Sequence, residues 1–464
     1  MSDKPSATPN LTLPPAKSLA SLPPGFLWGV STSSYQIEGA TQEDGRGDSI
    51  WDAFCRKRGR VANDDTGDVA CDHYHRYADD VALMKTLGLA AYRFSVAWPR
   101  VLPRGRGAVN EAGLDFYDRL IDTLLKTGIE PWLCLYHWDL PQSLDELGGW
   151  QNRDMAGWFA DYTALVARRY GDRVKRLATF NEPNVFTILG YGFGWHAPGL
   201  ADRTAFLKAV HHVNLAHGAA VEVMRDLVPG ASIGAVYSCQ PCRPENDAPE
   251  NKAAAKTFDE LWNGAFPDPQ NLALYPPELA RAIEPYQRPG DMARIAKPLD
   301  WFGLNHYSPN YCKADPGNAL GIMFGAAPEN MPKTGIGWPI DADALRITLL
   351  HLARRYRLPI YITENGIGAY DKPNDKGEVV DQHRIDYLRD YLIAMCAAIA
   401  EGADVRGYLL WSLLDNFEWA AGYGQRFGMV YVDYKTQART PKASCRWYTD
   451  LIAATRKAVP KSGR

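Results

Sequence analysis

The 464-residue sequence lacks an excess of either charge. Its 51 Lys and Arg are set against 54 Asp and Glu, a formal net charge of −3. No basic field exists to hold a phosphodiester backbone, and the densest cationic stretch is "RKRGR" at Arg56 to Arg60, so no nucleic-acid partner is expected. Also missing is any apolar run of the roughly 18 residues that a spanning helix needs, which excludes a helical membrane anchor. Cysteine is sparse: eight are scattered along the chain, several in apolar runs such as "PWLCLYHW" around Cys134 and "YLIAMCAAIA" around Cys396. They read as buried thiols rather than a disulfide framework. "CQPC" at Cys239 and Cys242 has redox or zinc spacing but no second pair, while His73 with His75 and His211 with His212 lack a third spaced ligand. These read as packing or interface residues, and no metal is expected. "GYGFGWHAPG" from Gly190 follows a helical stretch instead of leading a strand into a helix, so no nucleotide cofactor is expected either. The first 24 residues, "MSDKPSATPNLTLPPAKSLASLPP", are polar and rich in Pro and Ser without the apolar core of a secretory signal. Residues 1–23 are read as a disordered leader, residues 24–455 as one catalytic domain, and the location as cytoplasmic.

What is present is enough apolar sequence, 46% of residues, to bury a large core. Eight runs read as buried strands: "FLWGVSTSS" from Phe26, "AAYRFSVAW" from Ala90, "EPWLCLYHW" from Glu130, "RLATFNEP" from Arg176, "SIGAVYS" from Ser232, "LDWFGLNHY" from Leu299, "LPIYITENG" from Leu358 and "RGYLLWSLLDN" from Arg406. Between them, from Tyr77, Gly113, Met155, Ala216 and Ala342, apolar residues recur at three and four, as amphipathic helices require. Near-continuous apolar strands alternating with such helices predict a parallel sheet closed into a single (β/α)8 TIM barrel of the α/β class. The longest connections, Gln240 to Pro298 and Ser308 to Pro339, are rich in Pro, Gly and Asn and are read as loops at the C-terminal face, where barrels keep their chemistry.

On that frame Glu182 in "TFNEPN" closes the fourth strand and Glu364 in "YITENG" the seventh, so two carboxylates can project into one cavity. Glycoside cleavage needs such a pair, one to protonate the leaving oxygen and one to attack carbon or activate water. Gln36, His137, Asn181, Asn305 and Glu418 stand at or just beyond strand ends and can hydrogen-bond hydroxyls. Trp138, Trp195, Trp338, Trp411 and Trp419 offer flat faces for pyranose C–H groups.

The sequence resembles the family 1 glycoside hydrolases, β-glucosidases and their relatives, from about Pro24 to Tyr448. The resemblance rests on "FLWGVSTSSYQIEGA", "GDVACDHYHRYADDVALMKTLGLAAYRFSVAWPRV", "TFNEPN", "YITENG" and "NFEWAAGYGQRFGMVYVDY". It implies a retaining mechanism with Glu182 as acid/base and Glu364 as nucleophile, the latter kept ionised by Arg93 and Tyr307. It further implies Gln36 and Glu418 on the O3 to O6 side of the sugar, His137 on O3, Asn181 on O2, Trp411 under the glycone and Trp419 beside O3 and O4. Asn305 would lie near the acid/base and Trp338 would be a platform on the aglycone side. The implied substrates are β-glucosides and cello-oligosaccharides, and relatives often self-associate. Members acting on 6-phosphorylated sugars usually lack the glutamate of "NFEW"; here Glu418 would repel a phosphate.

One departure from the family pattern follows "GW", where "PIDADALR" from Pro339 replaces the usual Tyr-Pro run and points to an aglycone rim of its own shape. The rival readings are the same fold with β-galactosidase or β-fucosidase preference, a metal-dependent or lyase barrel, which the absent ligand set disfavours, and a catalytically inactive carbohydrate-binding barrel, which the presence of both glutamates disfavours.

Overall fold

The computed structural model describes residues 8–458. Eight parallel strands close into a barrel: β1 Leu27–Ser31, β2 Ala91–Ser95, β3 Glu130–Tyr136, β4 Arg176–Asn181, β5 Ser232–Ser238, β6 Trp301–Asn305, β7 Ile360–Glu364 and β8 Val405–Trp411. Every strand expected from the sequence is found, because a strand covered on both faces by other chain must be apolar at nearly every position. Closure joins the first strand to the last, with Leu27 opposite Gly407 and Ser31 opposite Trp411.

The inside of the barrel is packed. Ala91, Trp132, Cys134, Ala178, Val236, Trp301 and Tyr361 form a separate inner cluster, with the Trp132 ring 5.2 Å from Trp301 and 4.9 Å from Tyr361. Space for Trp301 comes from Gly234, where a Cβ would lie 2.3 Å from the indole. This aromatic plug floors the site above it. The side chains that alternate with the plug, such as Tyr92 and Phe94, pack outward against the helices.

All five expected helices form, as His73–Thr86, Glu111–Thr127, Met155–Tyr170, Arg203–Leu227 and Ala342–Tyr356. Two more, Gln382–Ala400 and Ala443–Ala458, complete the outer ring. The Gln240 to Pro298 connection is not a bare loop: it carries short helices at Pro249–Asp259, Pro267–Leu272, Pro277–Ile283 and Asp291–Ile295, three of them opening on a Pro that presets the first turn. With the next connection it also supplies a small sheet of Cys242–Pro244, Asn310–Ala314 and Ile322–Phe324 at the barrel mouth.

The disordered leader needs correction from residue 8 onward; residues 1–7 lie outside the described residues. Asn10 N donates to Gln382 Oε1 at 2.7 Å, Trp447 Nε1 donates to the Thr12 carbonyl at 3.1 Å, and Leu19 and Leu22 are buried. Leucines spaced among prolines give no periodicity, yet they find an apolar seat against the last two helices.

Behind the strand ends a buried ion network ties the C-terminal helix to the loops after β7 and β8. Lys442 Nζ lies 2.6 Å from Asp371 Oδ2 and 2.7 Å from Asp415 Oδ1, and Arg384 bridges Asp371 and Asp381. Among the described residues no helix is long and apolar enough to cross a membrane.

Candidate active site

Strand β4 delivers Glu182 by a sharp change of direction. The residue takes a left-handed backbone (φ 48°, ψ 59°), which for a side-chain-bearing residue costs on the order of 1–2 kcal/mol, and Pro183 then starts the helix Pro183–Thr187. Glu182 N donates to the Val236 carbonyl on β5 at 2.9 Å, which holds the turn. Strand β7 delivers Glu364 directly, opposite Asn305 of β6. Both carboxyls are buried and line one cavity of about 550 Å³.

Their surroundings differ. Glu364 Oε1 accepts from Arg93 Nη1 at 2.7 Å and Oε2 from the Tyr307 hydroxyl at 2.7 Å. Glu182 Oε1 accepts from one neutral donor, Asn305 Nδ2, at 3.0 Å. The same Nδ2 donates to Asn181 Oδ1 at 3.0 Å, which also accepts from Arg93 Nη2 at 2.6 Å, while Asn305 Oδ1 accepts from Thr363 Oγ1 at 2.7 Å. One lattice therefore spans β2, β4, β6 and β7 and fixes all these side chains relative to one another.

Burial pushes the Glu182 carboxyl up to about 8, with the charge of Glu364 adding to it and the Asn305 hydrogen bond and Arg93 opposing it. Burial raises Glu364 as well, but here Arg93 and the Tyr307 hydrogen bond oppose it. Two buried carboxyls sharing one cavity do not both ionise readily. The proton resides on Glu182, because only Glu364 receives a charge-assisted bond together with a phenolic one.

A polar cup lies beside the pair. Gln36 is fully buried; its Nε2 donates to the Phe417 carbonyl at 2.9 Å and Asn416 Oδ1 at 3.0 Å and reaches Glu418 Oε2 at 3.3 Å, while Ser33 Oγ donates to its Oε1 at 2.6 Å. Burial, then the charge of Glu364, push Glu418 up to about 8 against the Gln36 hydrogen bond. Because Arg93 fixes the Asn181 amide, its NH2 faces His137 Nε2 at 2.9 Å, so that ring nitrogen accepts and Nδ1 carries the hydrogen. Burial and the neighbouring Arg93 hold His137 well below the ordinary histidine range, hence neutral. Trp411 and Trp419 stack on His137 at 5.8 and 5.9 Å, and Trp138 lies 4.5 Å from Trp419.

Of the residues singled out in the sequence, His137, Trp138, Glu182, Trp195, Tyr307, Trp338, Glu364, Trp411, Glu418 and Trp419 line the cavity. Arg93, Asn181, Asn305 and Gln36 are buried beside it and hydrogen-bond to the lining groups Glu364, His137, Glu182 and Glu418. Trp262 and Phe324 also line it and were not anticipated. Both come from the long connections, where neither spacing nor a motif marks an inward-facing ring. The "PIDADALR" departure resolves as a helix start: Asp341 caps Ala342–Tyr356 and pairs with Arg243 at 2.8 Å, so the chain leaves the rim directly after Trp338.

The remaining clusters bind the fold together. His73 Nδ1 lies 2.8 Å from Asp80, His211 bridges Asp291 at 2.8 Å and the Tyr275 hydroxyl at 3.0 Å, and His212 Nδ1 meets the Trp150 carbonyl at 3.1 Å. Burial raises the Cys239 and Cys242 thiols well above the ordinary range. Among the described residues no group of three or more His, Cys, Asp or Glu is placed to hold a metal ion.

The family model for glycosyl hydrolase family 1 matches residues 18–457. The chain is 45% identical over 435 residues to "Beta-glucosidase A" of Thermotoga maritima, covering 93% of this chain and 97% of that one. It is 45% identical over 441 residues to "1,4-beta-D-glucan glucohydrolase" of Thermotoga neapolitana, covering 93% and 98%. Among solved structures, the Thermotoga maritima β-glucosidase in complex with glucoimidazole superposes with a TM-score of 0.89 at 44% identity, covering 94% of this chain and 99% of that one.

Proposed function

Because the chain belongs to glycosyl hydrolase family 1, we propose on that footing that it is a retaining β-glucosidase, removing terminal non-reducing β-D-glucosyl residues from β-glucosides and cello-oligosaccharides. The names of its relatives support this activity. The observation that carries the assignment of roles is the unequal environment of Glu182 and Glu364 in one cavity.

Glu364, charge-paired and hydrogen-bonded, is the nucleophile; its carboxylate attacks the anomeric carbon and forms a glycosyl-enzyme ester as the bond to the aglycone oxygen breaks. Glu182 gives its proton to that oxygen, so the leaving group departs as a neutral alcohol, and then takes a proton from the water that opens the ester. Glucose leaves with the configuration of the substrate and both carboxyls return to their starting states.

Arg93 and Asn305 position the pair. Asn181 meets O2, His137 meets O3, Gln36 and Glu418 meet the O3 to O6 side, Trp411 lies under the ring and Trp419 beside O3 and O4. Trp338 supports the aglycone. A cytoplasmic location is supported by the free state of all eight cysteines.

The test is proton NMR of the anomeric signals during hydrolysis of an aryl β-glucoside, beside Glu364→Ala. β-Glucose appearing first, with an inactive variant, supports the double displacement. α-Glucose appearing first would mean water attacks directly and Glu364 is a base, which rules the assignment out.

A further inference from the structure

Two of the turns that build the polar cup are far apart in sequence. Gln36 sits in the four-residue helix Ser34–Ile37 after β1, and His137 and Trp138 sit in the turn after β3. β1 and β3 share no ladder, because β2 lies between them. Neither turn is self-supporting. The N-cap of the helix, Ser33, makes no capping bond and gives its hydroxyl to Gln36 Oε1 instead, and a single helical turn is not stable alone. Trp138 takes a left-handed backbone (φ 77°), a strained conformation for a bulky side chain. The residue that follows it joins the two turns. Asp139 Oδ2 accepts from Ser34 Oγ at 2.7 Å; that hydroxyl accepts from Ser95 Oγ, at the end of β2, at 3.0 Å, and Ser34 N donates to Ser95 Oγ at 2.8 Å.

We propose that Asp139 is a positioning residue for glucose recognition: through Ser34 its carboxyl holds the turn that carries Gln36 in register with the turn that carries His137 and Trp138. The proposal rests on the β-glucosidase reading and on the sugar contacts assigned there to Gln36 and His137.

Three observations carry it. The bond to Ser34 is the carboxyl's one side-chain contact of this kind: Asp139 is fully buried, its Oδ1 finds no partner, and the neighbouring Arg46 is committed to Asp52 at 2.9 Å. The group is also not placed for stability. Burial pushes it up to about 7 against the Ser34 hydrogen bond, and a buried carboxyl with an unpartnered oxygen weakens a fold. Finally, both ends of the link lead to cup residues. Trp138 is fixed on its other side by its Nε1, which donates to the Asn181 carbonyl at 3.0 Å, so a shift of Asp139 is felt at His137 and Trp138. Ser34 opens the helical turn of Gln36, whose Nε2 must reach both the Phe417 carbonyl and Glu418 Oε2. Asp139 thus acts on the sugar through these groups and does not itself line the cavity.

The experiment measures kcat and KM separately on an aryl β-glucoside and on the matching β-galactoside, its epimer at the hydroxyl O4. The proteins are the parent, Asp139→Leu, Asp139→Asn, Ser34→Ala and the double variant of Asp139→Leu with Ser34→Ala, each checked by thermal unfolding. Asp139→Leu and Ser34→Ala are each expected to raise KM on the glucoside about five- to tenfold with kcat within about twofold, because binding contacts are lost and the chemistry is not. The ratio of glucoside to galactoside kcat/KM falls by a similar factor, since the Gln36 side of the cup reads O4. The double variant is no worse than the singles, because both remove the same bond. Asp139→Asn keeps an acceptor for Ser34 and recovers the KM and the ratio. If Asp139→Leu fails to fold, Ser34→Ala gives the same readout. An unchanged KM, a loss confined to kcat, equal losses on both epimers, additive losses in the double variant or no recovery in Asp139→Asn would overturn the proposal and leave the β-glucosidase reading intact. A parent inactive on both epimers would overturn that reading and this one with it.

Discussion

Asn305 donates the same amide nitrogen to Glu182 and to Asn181, at 3.0 Å each. The first of these bonds favours the ionised form of an acid that burial and the charge of Glu364 drive up to about 8. Removing the donor therefore raises the acid further. Asn305→Ala shifts the alkaline limb of the kcat/KM profile to higher pH, and lowers its plateau by about tenfold because Asn181 loses a partner too. An unshifted limb would mean that another group sets it.

Glu364→Ala abolishes the covalent step and lowers kcat by a factor on the order of 10⁴ or more. With Glu364 as the proposed nucleophile, the vacated space would lie beneath the anomeric carbon, and azide would enter from the side opposite the aglycone. Restored release from an activated aryl β-glucoside, with α-glucosyl azide as product by NMR, is the expected outcome. β-Glucosyl azide would place the nucleophile elsewhere.

Tyr307→Phe removes one of the two donors that hydrogen-bond the Glu364 carboxylate. A hydrogen bond to a charged group contributes about 1.5–3 kcal/mol, so kcat/KM falls roughly 10- to 100-fold. With Arg93 and Asn305 left to oppose burial, the Glu364 carboxyl rises and the acid limb moves to higher pH. A pH titration of single-turnover glycosylation reads both effects.

Glu182 weakens the fold that holds it. Its folded value of about 8 lies above its ordinary value of 4.5, so the stability it permits is fully present below pH 4.5 and is lost as pH rises towards about 8. Glu182→Gln keeps the shape and the Asn305 contact without a titrating proton. Thermal unfolding should show the variant matching the parent near pH 4 and exceeding it by a margin that grows up to pH 8 and then levels.

Lys442 is buried between Asp371 and Asp415. Lys442→Met leaves two buried carboxylates facing each other and costs about 3–5 kcal/mol in denaturant unfolding. Burial pushes Asp371 up, but Arg384, His383 and Lys442 outweigh it and hold the group well below its ordinary 3.8. Its stabilisation is present above that value and lost as pH falls below it, so the gap between parent and variant narrows on acidification.

Much of this molecule was legible before its coordinates. Glu182 and Glu364 declared themselves because each carboxylate interrupts an apolar strand at the end where a barrel keeps its reactive groups. The barrel strands were equally plain, since burial on both faces leaves a one-dimensional mark. What could not be read depends on distant partners. Leu19 and Leu22 look like part of a polar leader until the helix Gln382–Ala400 lies beside them. The helices after β5 hide in a stretch whose prolines suggest a loop, although at Pro249, Pro267 and Pro277 the ring begins a helix. Trp262 and Phe324 meet only because two connections from neighbouring strands fold onto each other, and no local pattern encodes that meeting.

The bond from Gln36 Nε2 to the Phe417 carbonyl joins positions 381 residues apart, and β1 pairs with β8 at the same seam. The polar cup is thus divided between the first and last parts of the chain to be synthesised. While the polypeptide is still being translated, Glu182 can already be outside the ribosome, yet it has no pocket to serve. A product that ends before β8 and Phe417 lacks both the barrel's closing strand and that side of the cup.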